Sequence, residues 1–263
     1  MDLIQSIILA AVEGITEFLP VSSTGHMILA SSLMQIHEEE FVKTFEVAIQ
    51  LGAIMAIVLL YARRFLQGLP IYFKLATAFL PTAIVGFLAY DHIKLYLFNP
   101  IVVSASLVIG GVILILIDRR VVSQQSSVAQ LEDIPYKQAA MIGLFQCLSM
   151  IPGVSRAAAT IIGGVFNGLD KKQATEFSFL LAVPTMFAAT GYDLLKTSVA
   201  FTPEQWTLLG VGLVVAFITA WLAVKVFLRI VQNYGFKHFG YYRIVIGLLF
   251  LLYYTQFADW SAV

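Results

Sequence analysis

Charge is scarce in this chain. Only 12% of its 263 residues are Asp, Glu, Lys or Arg, about half the share of an ordinary soluble domain. The charges cancel to a formal net charge of zero, and no basic stripe marks a nucleic-acid partner. Cysteine is scarcer still: Cys147 stands alone, which excludes an internal disulfide. The first residues, Met1-Asp2-Leu3-Ile4-Gln5, lack the basic start of a cleaved signal peptide, so the first apolar segment is expected to stay in the protein. Alternating segments of about ten residues, the mark of a membrane barrel, are missing too.

What is present is apolar length. Hydrophobic residues make up 59% of the chain and the mean hydropathy is +0.86. Long apolar runs recur from end to end, so we expect an all-α polytopic membrane protein forming a single domain over 1–263. The first run, Leu3 to Leu19, ends at Pro20, and a short second one follows from His26 to about Gln35. Neither reaches the roughly 20 residues that cross a bilayer core, so together they read as a re-entrant hairpin. Spans are expected at Phe45–Tyr61, Tyr72–Tyr90 and Pro100–Ile117, followed by a polar loop over 118–137. A second hairpin, Gln138–Ile151 and Ala157–Phe166, is split by Pro152-Gly153-Val154-Ser155-Arg156. Spans at Thr175–Leu195, Trp206–Leu228 and Tyr241–Phe257 complete a set of about six, with Pro81 and Pro184 as expected kinks. Tyr61, Tyr90, Trp206, Tyr241 and Trp260 are placed as interface anchors, and His37, His92 and His238 near span ends.

Each half is thus a hairpin plus three spans, about 1–117 and 138–263. Pro20-x-x-Ser23 recurs as Pro152-x-x-Ser155, and Phe45-Glu46 is echoed by Glu176-Phe177 at nearly the same interval. An odd number of crossings per half makes the copies inverted, so their hairpins would enter from opposite faces and meet near the midplane. Basic residues set the orientation. Arg63, Arg64, Lys74, Arg119, Arg120, Lys137, Lys171, Lys172, Lys225, Arg229, Lys237 and Arg243 fall on one side, against Lys43, Lys94 and Lys196 on the other. The rich side, with loop 118–137, is read as cytoplasmic, which turns both termini and the mouth of the first hairpin outward.

The polar groups inside these hairpins carry the chemistry. Glu13 and Glu17, four residues apart, share one helix face and repel unless a proton or cation joins them. A divalent cation, Mg²⁺ or Ca²⁺, suits such oxygens; the plainer alternative is a helix cap and an ion pair. Ser22, Ser23, Thr24 and Gly25 open the next helix, where free N–H groups and hydroxyls favour a phosphate. Ser23 and His26 have the spacing of a hydroxyl nucleophile and its base, or equally of a cap and a packed histidine. Arg156, beside Ser155, needs an anion at that depth: a phosphate gripped by its planar fork, or the carboxylate of Glu17 or Glu176. Glu46, Gln50 and Glu176 are supporting candidates.

These motifs are familiar. Glu13-x-x-x-Glu17-Phe-Leu-Pro-Val-Ser-Ser-Thr-Gly-His26, Pro152-Gly-x-Ser155-Arg156 and Glu176-Phe-Ser-Phe-Leu-Leu-Ala-Val-Pro184 together resemble the undecaprenyl-diphosphate phosphatase family, which is linked to bacitracin resistance. The likeness runs over essentially the whole chain. It departs at Ala157-Ala158, where the family usually has Ser-Gly. The resemblance implies a bacterial plasma (inner) membrane hydrolase that removes the terminal phosphate of a C55 polyprenyl diphosphate and so regenerates the lipid carrier of peptidoglycan synthesis. It implies a site opening outward, Glu13 and Glu17 as holders of the cation, Ser23 as nucleophile with His26 as base, and Arg156 as diphosphate clamp. Ser22, Thr24, Gly25 and Ser155 would line the phosphate, and a homodimer is compatible with the chain. A polyprenyl-phosphate transporter or flippase would use the same broken helices and the same arginine, but needs no paired glutamates with a serine and a histidine.

Overall fold

A computed structural model describes residues 1–66, 68–97, 100–120, 126–196 and 201–257, with no side-chain description for 90–97, 100, 120 and 257. Trp260 and part of the polar loop (121–125) lie outside the described residues, as do the side chains of Tyr90, His92, Lys94 and Arg120. Among the described residues there is no strand. The chain begins with α1 (Leu3–Thr16) and α2 (Ser23–Leu33), then α3 (Glu40–Leu60), the single-turn α4 (Ala62–Leu66), α5 (Pro70–Leu97) and α6 (Pro100–Arg120). After the loop come α7 (Tyr136–Cys147), α8 (Arg156–Phe166), α9 (Lys171–Lys196), α10 (Pro203–Tyr234) and α11 (Lys237–Phe257).

Local sequence explains the boundaries. Asp2 and Gln5 form a reciprocal cap on α1, each side chain bonded to the other's backbone N–H at 2.8 Å. Thr202 and Gln205 do the same for α10, with Pro203 in the first turn, where its missing N–H costs nothing. Both hairpins are short helices with a break at the expected proline. Helices α5 and α9 run through Pro81 and Pro184. Among the described residues five helices, α3, α5, α6, α9 and α10, are long and apolar enough to cross a membrane. The sixth expected span, α11, has 21 residues, but Tyr241, Tyr242, Arg243, Tyr253 and Tyr254 dilute its apolar character. Lipid-facing stripes are plain in the helical spacing of exposed Leu80, Ile84 and Leu88 on α5 and of Val214, Ile218 and Leu222 on α10.

Packing crosses between the halves. Helix α1 lies along α10 and α7 along α5, while α3 meets α9 and α6 meets α11. Glycine permits the first two approaches: a Cβ at Gly14 would sit 2.5 Å from the Ala216 carbonyl oxygen, and one at Gly143 2.9 Å from the Ala78 carbonyl carbon. Such small-residue contacts let membrane helices close to backbone distance. The hairpin mouths lie at opposite ends of α3. The Met1 amine pairs with Glu39, just before α3, at 2.8 Å. At the other end Arg64, just past α3, reaches Glu132 at 3.4 Å. There Lys74 of α5 also stacks its ammonium 3.4 Å from the centre of the Tyr136 ring, at the start of α7.

Candidate active site

The outgoing helix of each hairpin begins after a serine with positive φ: Ser22 at 73° and Ser155 at 71°. Non-glycine residues rarely adopt this region, at a cost of about 1–3 kcal/mol each, so the two tips share one strained backbone solution. The match refines the repeat. Val21-Ser22-Ser23 corresponds to Val154-Ser155-Arg156, so Ser22 rather than Ser23 is the counterpart of Ser155. Ser23 and Arg156 then hold equivalent places as the first residues of α2 and α8.

Glu17 joins them. Its Oε2 accepts a hydrogen bond from the Ser23 hydroxyl at 2.5 Å, and its Oε1 accepts one from Arg156 Nη2 at 3.1 Å. The carboxylate of the first tip therefore bridges the hydroxyl beside it and the guanidinium of the second tip. Arg156 is further held by the Ser178 carbonyl at 3.1 Å and by the face of Phe18, 5.6 Å from its Cζ. Its Nε is buried without a partner. Glu13, 1% exposed, lies one turn before Glu17 on the same helix face. One oxygen each of Glu13 and Glu46 is buried and unpartnered. Orphaned polar atoms buried at and near an ion pair are costly in an apolar setting.

The expected pairing of Ser23 with His26 is not the one observed. His26 Nδ1 meets the Ser22 carbonyl at 2.8 Å, and Nε2 meets the Tyr242 hydroxyl at 2.8 Å. The two rings stack at 5.6 Å and 7°. Facing a carbonyl, Nδ1 carries the hydrogen, which leaves Nε2 as acceptor for the phenol. The cause is local: the positive φ of Ser22 turns its carbonyl toward His26, while Ser23, on the first turn of α2, reaches back to Glu17. The other expected contributors are less central. Thr24 is exposed and has no hydrogen bond to this cluster. Gly25 is buried, with Val103 and Leu107 side chains 3.5 Å from where a Cβ would be, so it packs the hairpin on α6. Ser155 accepts from Ala158 N at 3.2 Å as the cap of α8. Gln50 accepts a hydrogen bond from Thr190.

No group of three or more His, Cys, Asp or Glu side chains that could hold a metal occurs among the described residues. Glu13, with its free oxygen, and Glu17 carry the oxygen donors that a hard divalent cation would use.

Sequence reasoning missed Arg243. The charge count placed it in an aqueous segment; it is 0% exposed and lies between both tips. Lys74, counted with it, is only 9% exposed. Glu176 also falls elsewhere. It faces Arg64 at 3.8 Å in a polar cavity of about 900 Å³ lined by Arg63, Glu132, Asp170 and Lys172. An aromatic wall begins next to Glu17, at Phe18. Phe18 meets Phe179 edge-on at 5.7 Å, and Phe179 in turn meets Tyr61 at 6.2 Å and Phe227 at 6.0 Å.

Comparison with known proteins agrees with this geometry. The chain matches the family described as bacitracin resistance protein BacA over residues 6–249. It is 54% identical to the undecaprenyl-diphosphatase of Bdellovibrio bacteriovorus, over 96% of each chain. It is 51% identical to that of Wolinella succinogenes over 96% of this chain and 98% of the relative, and 47% identical to that of Aquifex aeolicus over 95% and 98%. With one family spanning nearly its whole length and the polar tips buried inside a bundle of apolar helices, the chain is an integral membrane protein that belongs to the BacA family.

Proposed function

We infer that this chain is an undecaprenyl-diphosphatase, removing the terminal phosphate from undecaprenyl diphosphate to leave the monophosphate carrier used in cell-wall synthesis, and so confers bacitracin resistance. The names of its relatives supply the substrate. The Ser23–Glu17–Arg156 chain at the meeting of two helix N-termini is the observation that carries the chemistry. Glu17, which accepts the hydrogen bond of Ser23, takes its proton in this reading as the Ser23 oxygen attacks the terminal phosphorus. The bond to the bridging oxygen breaks, and the polyprenyl monophosphate departs. Water then hydrolyses the phosphoserine, releasing inorganic phosphate and restoring the hydroxyl. Arg156 neutralises charge on the equatorial oxygens, the main catalytic demand in phosphoryl transfer. Glu13 and Glu17 would hold a divalent cation that adds charge neutralisation at the phosphate. A carrier of polyprenyl phosphate has no need of a hydroxyl bonded to a carboxylate, which favours hydrolysis over transport.

Purified protein given polyprenyl diphosphate and Mg²⁺ or Ca²⁺ is expected to release phosphate, to lose at least about 90% of that rate in excess EDTA, and to regain it on adding back the cation. Full activity in chelator would remove the cation from this scheme; no release under any condition would overturn the hydrolase reading.

The placement of the hairpin mouths at opposite ends of α3 and the crossed packing of the halves support an inverted repeat. The remaining basic residues at the Arg64 end support that end as cytoplasmic in a bacterial inner membrane. In intact cells of a Cys147→Ser background, a cysteine replacing exposed Glu39 should then react with an impermeant maleimide. Labelling that appears only after lysis would reverse the orientation.

A further inference from the structure

Three backbone carbonyls in the non-helical breaks, those of Pro20 in the first hairpin and of Gly153 and Val154 in the second, converge on one side chain. Arg243 Nη1 donates to Pro20 O at 3.1 Å and Val154 O at 3.0 Å, and Nη2 donates to Gly153 O at 2.9 Å. Its remaining N–H groups reach Ser106 O at 3.0 Å and Leu107 O at 3.3 Å on α6. A guanidinium has five N–H donors in a fixed fork, and each finds a separate carbonyl here. No carboxylate pairs with Arg243 among the described residues, so it serves as a donor array rather than half of an ion pair. Broken backbone at membrane depth must have its carbonyls satisfied by protein or water, and this arginine does so for both breaks at once. Gly110 makes space for it: a Cβ there would overlap Nη2 and lie 2.7 Å from Cζ.

We propose that Arg243 is a positioning residue that fixes the gap between the two hairpin tips, and thereby the approach of Ser23 on one to Arg156 on the other. The inference rests on the phosphatase reading for its kinetic consequence, but not for its geometric one. One arginine holds Pro20, three residues before Ser23, and Gly153 and Val154, directly before Ser155-Arg156. Lysine, with a compact ammonium and three donors, does not replace this fork.

The test uses full-length protein in detergent with polyprenyl diphosphate and Mg²⁺. Arg243→Met should lower kcat by roughly 10²-fold, the scale of a 1 Å misplacement, with a much smaller change in KM, and Arg243→Lys should not rescue it. Gly110→Ala, which displaces the guanidinium without removing it, should lower kcat in the wild-type background and add nothing in Arg243→Met. Spin labels at the exposed outer ends of α2 and α8, Leu33 and Phe166, in a Cys147→Ser background should show a broadened distance distribution in each single variant. Where Arg243→Met does not fold, Gly110→Ala carries both measurements. Unchanged kcat and spacing, rescue by lysine, or additive losses in the double variant would each overturn the proposal. A wild-type protein that releases no phosphate would instead overturn the phosphatase reading, with the spin-label distances still judging the pin.

Discussion

Arg156→Ala is expected to lower kcat/KM for polyprenyl diphosphate by about 10³–10⁵-fold, the range seen when a single arginine is lost from a phosphoryl-transfer site. Three observations set the size of this effect. The guanidinium is nearly buried, with a side-chain exposure of 10%, so its charge acts through little water. Its Nε is unpartnered, which leaves a donor for a phosphate oxygen even while Nη2 holds Glu17. Finally, Arg156 is the only cation bonded to the Ser23–Glu17 cluster among the described residues. Removing it also strands Glu17 beside Glu13, and breaking one side of a buried ion pair costs about 3–5 kcal/mol of stability. Thermal unfolding in detergent should therefore accompany the kinetics, so that lost activity in a folded variant is distinguished from lost protein. Arg156→Lys should recover only a small part, because a point charge cannot hold Glu17 and Ser178 while meeting a phosphate. A loss below tenfold in the folded alanine variant would remove Arg156 from the catalytic set.

Glu17→Gln should cost about 10³–10⁴-fold in kcat, the upper range for loss of a general base. The amide keeps the size of the side chain and an oxygen for Arg156, but cannot take the proton of Ser23. The comparison that decides the pairing is His26→Gln. The 2.5 Å bond from Ser23 to Glu17, with both His26 nitrogens engaged elsewhere, requires the glutamate variant to be the more damaged. The reverse order in kcat would return the proton to His26 and discard Glu17 as the base.

Much of this arrangement was legible in the sequence because a membrane raises the cost of each polar group within it. Glu13, Glu17, Ser23 and Arg156 stood out among apolar neighbours, and the breaks at Pro20 and Pro152 exposed the hairpins. Helices α5, α9, α10 and α11 begin two to four residues before their expected spans, where residues such as Lys171 and Pro203 extend the helix beyond the apolar run. The tip partners were not legible. Whether Ser23 meets His26 or Glu17 depends on the φ of Ser22, and no residue type announces that angle. Arg243 was misplaced for a related reason. Near a span start a basic residue reads as interfacial, and only the convergence of two distant backbone breaks shows what it is bonded to. The apparent Pro-x-x-Ser repeat gave a register one residue off, because Gly153 lengthens the second tip by one residue relative to the first.

The aromatic wall of Phe18, Phe179, Tyr61 and Phe227 has a consequence for the cell rather than for the substrate. Polar hairpin tips meet inside the apolar bundle and a charged cavity opens near its Arg64 end, which thins the apolar layer between the two polar regions. Beside Glu17 stands a run of rings from Phe18 through Phe179 to Tyr61, with Phe18 and Phe179 at 0% exposure. A continuous file of water there would conduct protons across the membrane. The edge-on and tilted rings make such a file expensive to form, so a membrane phosphatase can bury charged groups without becoming a proton leak.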